Sequence, residues 1–296
     1  MRYSEIVYEP VNITAGPRGI SPLCAFTIDV EDWYQSCIDL NAPITERVVR
    51  NTEKILAILD RRNIKATFFV QGRVAETFPR LMQQLVAEDH EIQSHGYSHR
   101  PVNIMNKKEL KLELELSRKS IEDACGVQVT AFRAPDFTIN RENMWALEIL
   151  SETGFRIDSS IFPMRTRRYG ISGYPTVPHR IQLPGGASIL EVPVAVLGSG
   201  KIRIPVAGGG YFRLIPGMIL QKVFHYMMTR RPIIVYCHPY EFNPQELGEY
   251  YRMDVSKYFL FTQGLGRSFY ANKMDSLFKN LPFGRFDQVL KNWGLE

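Results

Sequence analysis

The chain has 296 residues, 45% of them hydrophobic and 23% charged, and carries a net charge of +5 from 36 Lys and Arg against 31 Asp and Glu. That length and apolar content suit one large α/β core or two small ones, and exclude a disordered or low-complexity chain. The cationic excess is mild and no Lys/Arg run reaches the density of a nucleic-acid arm, so no nucleic-acid partner is expected.

The opening MRYSEIVYEPVNITAG lacks a basic segment followed by an apolar run, and no apolar stretch approaches the length of a membrane span. The four cysteines, Cys24, Cys37, Cys125 and Cys237, are far apart and form no CxxC pair. Reduced thiols in a cytoplasmic protein are the expectation.

After an N-terminal segment over residues 1–22, LCAFTIDV predicts a first strand and KATFFVQG a second. Residues 46–62 carry Val48, Ile55, Leu56 and Leu59 at helical spacing between them, and residues 77–88 carry Phe78, Leu81, Met82, Leu85 and Val86. EIQSHG predicts a third strand. In KKELKLELELSRKSIEDACG the leucines alternate like a strand, but the length, the Asn106/Glu109 capping-box spacing and the closing Gly126 favour a helix. VTAFRAP and FRIDSS predict further strands around a helix that Asn140 caps and Gly154 ends. Residues 165–215, rich in Gly, Pro and aromatics, read as a loop excursion that is either structured for binding or a lid. SILEVPVAV and RPIIVYCHP predict the last strands of a unit spanning 23–245, and residues 246–296 read as an extension packed on it.

Strands alternating with helices predict a parallel sheet whose chemistry gathers beyond the strands' C-terminal ends. Asp29, His95, His99, Arg133, Asp158 and His238 all stand at such ends, which points to one shared site at the mouth of a barrel. In FTIDVEDWY, the carboxylates of Asp29, Glu31 and Asp32 crowd together and repel unless solvated or neutralised by a cation. HGYSH adds His95 and His99. Two neutral imidazoles and one carboxylate make an open three-ligand site suited to Zn²⁺ or another divalent first-row metal. Arg133, in FRAPDF, is either a surface charge or a fork that orients a carboxylate, and Asp158 is a candidate partner for it. His238, after the most hydrophobic strand, is either a satisfied core group or a general acid. Together these groups suit hydrolysis of an amide or ester through a tetrahedral oxyanion.

The ordered set FTIDVED, HGYSH, FRAPDF, DSS and IVYCHP resembles the five motifs of the polysaccharide deacetylases, the NodB-homology group of carbohydrate esterase family four, over about residues 24–243. PVAGGGYFRLIP and the C-terminal extension further resemble the exosortase-associated branch. The resemblance implies a distorted, incomplete (β/α) barrel that removes N-acetyl groups from amino sugars. It implies Asp29 as the base that activates the attacking water, with Arg133 tethering it and Asp158 supporting Arg133. His95 and His99 become metal ligands, the backbone N–H near Asp136 an oxyanion donor, and His238 the acid for the leaving amine. Zinc is the implied metal, with Co, Ni or Mn as alternatives.

The family's adjacent Asp pair is broken here by Val30. Glu31 therefore becomes the third ligand if the strand continues, since it shares a face with Asp29, and Asp32 becomes the ligand if the chain bulges. Both stay open, with Asp32 preferred for its shorter side chain. Trp33, Tyr97, Tyr211 and Tyr240 flank the motifs and are candidate sugar-stacking residues. The expected partner is an acetylated amino-sugar polymer or a lipid-linked oligosaccharide of exopolysaccharide assembly, met in the cytoplasm or at the inner membrane face. The rival readings are a hydrolase of a small non-peptide amide and a degenerate protein that only binds glycan.

Overall fold

The computed structural model describes residues 8–11, 22–200 and 202–295; most of the expected N-terminal segment thus lies outside the described residues. In chain order, β1 (Tyr8–Pro10), β2 (Cys24–Val30), α1 (Trp33–Cys37), α2 (Arg47–Arg61), β3 (Thr67–Val70), α3 (Gly72–Thr77), α4 (Pro79–Ala87) and β4 (Glu91–Ser94) make the first half. Then come α5 (Lys107–Cys125), β5 (Ala131–Phe132), α6 (Ala146–Glu152), β6 (Ile157–Asp158), β7 (His179–Gln182), β8 (Ser188–Glu191), β9 (Val196–Ser199) and β10 (Ile202–Pro205). The chain finishes with α7 (Gly209–Leu214), α8 (Gly217–Met228), β11 (Ile233–Cys237), α9 (Glu246–Tyr250), α10 (Lys257–Gly264), α11 (Tyr270–Asn280), β12 (Phe283–Gly284) and α12 (Phe286–Asn292).

The main sheet runs β1-β7-β8-β6-β5-β4-β3-β2-β11, and every pairing from β8 to β11 is parallel. The ladder stops between β8 and β11, where Ala195 N–H donates to the Ile234 carbonyl and Tyr236 N–H to that of Ala207. This is an incomplete barrel, as a succession of strand and crossover helix dictates. β2 lies between β3 and β11 and is buried along its whole length, so its two faces divide the work. Phe26, Ile28 and Val30 fall on one face. Thr27 and Asp29 fall on the other, which continues through Glu31 by the strand's period of two.

The helices follow their apolar spacing. α5 is capped at Asn106 by the reciprocal Asn106/Glu109 box and ends at Gly126 in the left-handed region, φ 71°. The helix expected from Asn140 starts later, at Ala146. Asn140 and Asn143 instead bond backbone N–H groups of their own turn, Asn140 Oδ1 accepting from Glu142 and Asn143 Oδ1 from Asn140. The excursion over 165–215 is structured: β7 joins the main sheet, and β9 and β10 pair as a separate hairpin.

The C-terminal residues complete the lower end of the barrel. β12 pairs in parallel with the start of β2, and the Phe286 N–H donates to Thr67 Oγ1 at 2.7 Å. Phe286 packs edge-on against Phe69 and is fully buried. No helix among the described residues is long and apolar enough to cross a membrane.

Truncating this plug should be costly. Phe286→Ala is expected to lower the unfolding free energy by about 3–5 kcal/mol, whereas Leu112→Ala on the exposed face of α5 should change it by less than about 0.5 kcal/mol. Equilibrium denaturant unfolding of the two variants checks this.

Candidate active site and metal centre

Four strand ends, those of β2, β4, β5 and β11, converge on one cleft of about 520 Å³. Asp29 and Glu31 enter it from β2, His95 and His99 from the turn after β4, and His238 from the end of β11. Arg133 lies beneath, fully buried after β5.

The turn that carries the two histidines is built from small residues. Gly96 takes φ 76°, its N–H donates to Ser94 Oγ, and Ser117 of α5 donates to its carbonyl at 2.9 Å. His99 takes φ 65°, an uncommon conformation for a side-chain-bearing residue, and this bends it back toward His95. The rings come to a centroid distance of 5.3 Å. His95 Nδ1 donates to the Arg133 carbonyl at 2.9 Å, which turns Nε2 toward the cleft.

Glu31 completes the cluster. Its Oε2 lies against His99 Nε2 and 3.5 Å from His95 Nε2, and one ligand atom from each of the three residues falls within 4.8 Å of the others. All three side chains are buried, and the two imidazoles are the groups that reach Glu31 Oε2. Burial by itself would raise the Glu31 carboxyl, but the charge of His99 and the bonds from both imidazoles hold it well below the usual carboxylate range. Burial likewise opposes a charged His99, and the Glu31 carboxylate overrides it and raises the imidazole. A site that draws a proton between a carboxylate and two imidazoles is equally suited to a divalent cation, and this donor set fits one.

Asp32 does not join them. It lies one residue past the face shared by Thr27, Asp29 and Glu31 and serves as the N-cap of α1, with Oδ1 accepting from the Tyr34 and Gln35 N–H groups. Its Oδ2 accepts from the Thr45 N–H and hydroxyl. The α1 cap takes one Asp32 oxygen and Thr45 the other, and in this structure Glu31 is the carboxylate that faces the histidines.

Arg133 Nη1 donates to Asp29 Oδ1 at 2.8 Å and to Thr27 Oγ1 at 2.7 Å, Nη2 donates to Ser159 Oγ at 3.2 Å, and the guanidinium lies 4.1 Å over the Phe69 ring. The support expected from Asp158 comes from its neighbour Ser159. The Asp158 side chain projects to the other face of β6, where it accepts from Ser160 Oγ and pairs with Glu191 of β8, both fully buried. Burial first, and then the proximity of two carboxyls, raise Glu191 well above its ordinary value, and burial pushes Asp158 up to about 6.

His238 Nδ1 bonds Glu241 Oε2 at 3.2 Å, its ring stacks on Tyr240 at 4.9 Å, and Nε2 stands 4.0 Å from Glu31 Oε1. Burial would lower this imidazole, but the Glu241 bond and the charge of Glu31 push it up to about 9. Glu241, itself buried, is held down to about 2 by His238 and Arg213 against the opposing effect of burial.

Asp136 lines the cleft at φ 53° and pairs with Arg168 at 3.3 Å. Of the aromatic candidates, Tyr240 lines the cleft and its hydroxyl donates to Glu31 Oε1 at 3.2 Å. Trp33 is buried against Tyr250 instead, Tyr97 donates to Glu76 outside the cleft, and Tyr211 stands exposed beyond the lining. Tyr169, Tyr236, Arg168, Arg213 and Glu241 line the cleft and escaped the sequence reading. Glu241 alone had a signal, an acid three residues after His238.

The comparisons agree with this geometry. Residues 38–157 match the polysaccharide deacetylase family, and residues 159–291 match a domain of unknown function, DUF3473, which occurs in the exosortase-associated branch of deacetylases. The peptidoglycan-N-acetylglucosamine deacetylase of Bacillus cereus is 33% identical over 98 residues, which is 33% of this chain and 36% of that protein. The chain spans 36% or less of the curated relatives it matches. A Mycobacterium smegmatis structure assigned to the polysaccharide deacetylases superposes with a TM-score of 0.63 at 18% identity, covering 97% of this chain and 95% of that one. Puue allantoinase superposes at 0.59 and 14% identity, covering 92% and 89%. Residues 38–157 thus carry a polysaccharide deacetylase domain, followed by a DUF3473 domain over residues 159–291.

The Asp158–Glu191 pair predicts a pH effect on stability. Both folded-state pKa values lie above those of the unfolded chain, so this contribution is fully present below about pH 4 and is lost as pH rises through about 6 and beyond. Glu191→Gln, which can donate to an ionised Asp158, should melt close to the native protein at pH 5 and progressively above it as pH rises to 8. Thermal melts of both proteins across that range check it.

Proposed function

We propose that the protein is a metal-dependent hydrolase of N-acetyl groups on the amino sugars of a bacterial exopolysaccharide or its lipid-linked precursor. The observation that carries this reading is the Glu31, His95 and His99 cluster beside Asp29 and His238 in one cleft. Those three side chains would hold a divalent ion, Zn²⁺ first and Co²⁺, Ni²⁺ or Mn²⁺ as alternatives, which when bound would polarise the acetyl carbonyl and ease ionisation of water.

Asp29 takes the proton of the attacking water. Arg133 keeps that carboxylate aimed, since its fork also spans Thr27 and Ser159 and has no freedom to swing away. As water adds to the acetyl carbon, the N–H of Asp136 donates to the developing oxyanion. His238, held by Glu241, delivers its proton to the sugar nitrogen as the C–N bond breaks, releasing acetate and the free amine. Tyr240, Tyr169 and Tyr236 offer ring faces and hydroxyls to the sugar. The presence of base, ligands, arginine and acid together favours turnover over a degenerate glycan-binding role.

A second cavity of about 360 Å³ shares Arg168 and Tyr169 with the cleft and adds one acid, Glu142, to three further cations, Arg141, Arg165 and Arg167. Arg165 and Arg167 have no acidic partner among the described residues, and this supports an anionic group, such as the diphosphate of a lipid-linked sugar, beside the acetamido unit. All four cysteines are unpaired, which supports a reducing, cytoplasmic setting.

Acetate release from N-acetylglucosamine oligomers tests the reading. Chelation should abolish it, Zn²⁺ or Co²⁺ should restore it, and Asp29→Asn should cut kcat by about 10²–10⁴ with metal still bound. His95→Ala and Glu31→Gln should both lose the metal, whereas Asp32→Asn should keep it and lose only stability. Metal bound without acetate release would instead favour a different acyl substrate or a glycan-binding protein.

A further inference from the structure

Large hydrophobic side chains are unevenly distributed on the surface. Thirteen of the sixteen exposed ones among the described residues lie between Ile202 and Phe269, so they mark a region and are not scatter. Tyr211 and Leu214 stand on α7, Met218 and Ile219 in the first turn of α8, Tyr258 and Phe261 on α10, and Leu265 and Phe269 just beyond it.

These segments are one welded unit. Arg213 Nε donates to the Leu265 carbonyl at 2.9 Å, and Lys273 Nζ donates to the carbonyls of Arg213 and Ile215 at 2.5 and 2.8 Å. The same two helices form a wall of the cleft, through Gly209, Gly210 and Arg213 of α7 and Phe259, Thr262 and Gln263 of α10. The apolar rim is therefore continuous with the mouth of the site.

Its charge is as uneven as its polarity. Residues 192–240 contain neither Asp nor Glu, and the same is true of 255–274. Exposed cations remain in both stretches, among them Lys222, Arg230 and Lys257. A water-facing protein surface mixes both signs. Bulky apolar groups, aromatics and cations on three helices, α7, α8 and α10, that carry no acid match the interface of an anionic lipid bilayer.

We infer that the rim formed by α7, the start of α8, α10 and the turn to Phe269 docks the protein on an anionic membrane surface, with the cleft mouth against the lipid headgroups. The apolar side chains enter the headgroup boundary, and the cations pair with lipid phosphates. This docking builds on the lipid-linked substrate proposed above, but vesicle binding reads it without turnover.

The test is flotation of the purified protein with vesicles of phosphatidylcholine alone and of phosphatidylcholine with phosphatidylglycerol in equal parts. The native protein should float with the anionic vesicles and lose that binding as salt is raised. Combined Leu214→Ser, Met218→Ser, Phe261→Ser and Phe269→Ser should reduce flotation about tenfold or more. Acetate release from soluble N-acetylglucosamine oligomers should stay within about twofold, because none of the four lines the cleft. Should that variant fold poorly, Lys222→Glu with Lys257→Glu should weaken binding to anionic vesicles alone. Absence of flotation with either vesicle overturns the inference. So does sedimentation showing a native dimer that the serine variant dissociates, because the rim would then join two copies. Flotation without acetate release would leave the docking intact and sink the deacetylase reading.

Discussion

Arg133 has no exposed surface, and a guanidinium cannot shed its charge at any pH a protein meets, so the barrel has to be built around it. Its side chain ties β2 to β6 through Asp29, Thr27 and Ser159, while its own backbone N–H donates to the Ser94 carbonyl at the end of β4. Its carbonyl then fixes the ring of His95. One residue thus sets the aim of the carboxylate on β2 and of an imidazole on the β4 turn. Replacing it with an apolar residue would leave Asp29 as an uncompensated buried charge, the situation in which breaking a buried pair costs about 3–5 kcal/mol.

The remaining buried charges are sorted by the same constraint. Asp29 is matched by Arg133, and Glu241 by Arg213 and His238. Asp32 and Glu246 are held by hydrogen-bond donors in place of cations, and Glu31 faces the imidazoles of His95 and His99. Between Asp158 and Glu191, burial and the neighbouring carboxyl raise Glu191 well above its ordinary value, so the pair does not carry two negative charges. The barrel mouth thereby holds one negative group whose counter-ion can be exchanged, and it is the group that stands between the histidines.

Much of this was legible in the sequence because it depends on local periodicity. The strands, their C-terminal ends, the α5 capping box and the His95/His99 turn all follow from residue type and spacing within a few positions. The Glu31/Asp32 choice turned on a competition that spacing does not reveal: Asp32 is a good N-cap for α1, and the cap and Thr45 claimed both of its oxygens. Asp158 was misplaced for a similar reason, since adjacent residues of a strand face opposite ways and Ser159 occupies the face toward Arg133. Trp33 and Tyr97 stand close to the motifs in sequence, yet one packs into a core and the other reaches Glu76. Arg168, Arg213 and Tyr169 reach the cleft from the excursion, by contacts too distant in sequence for any local pattern to record.

The second half of the chain therefore supplies more than closure of the barrel. Glu241 orients the imidazole of His238, and Arg213 neutralises Glu241 from α7. Arg213 is buried while Leu214, the next residue on the same short helix, is exposed. A six-residue helix held at one side by a buried ion pair and at its end by Lys273 has little freedom to move independently. Whatever engages the outer face of α7 therefore sits at a fixed distance from Glu241 and His238. A surface that binds lipid at Leu214 would hold the cleft at one height above the headgroups, where a sugar carried on a membrane anchor would meet His238 without the protein having to rearrange.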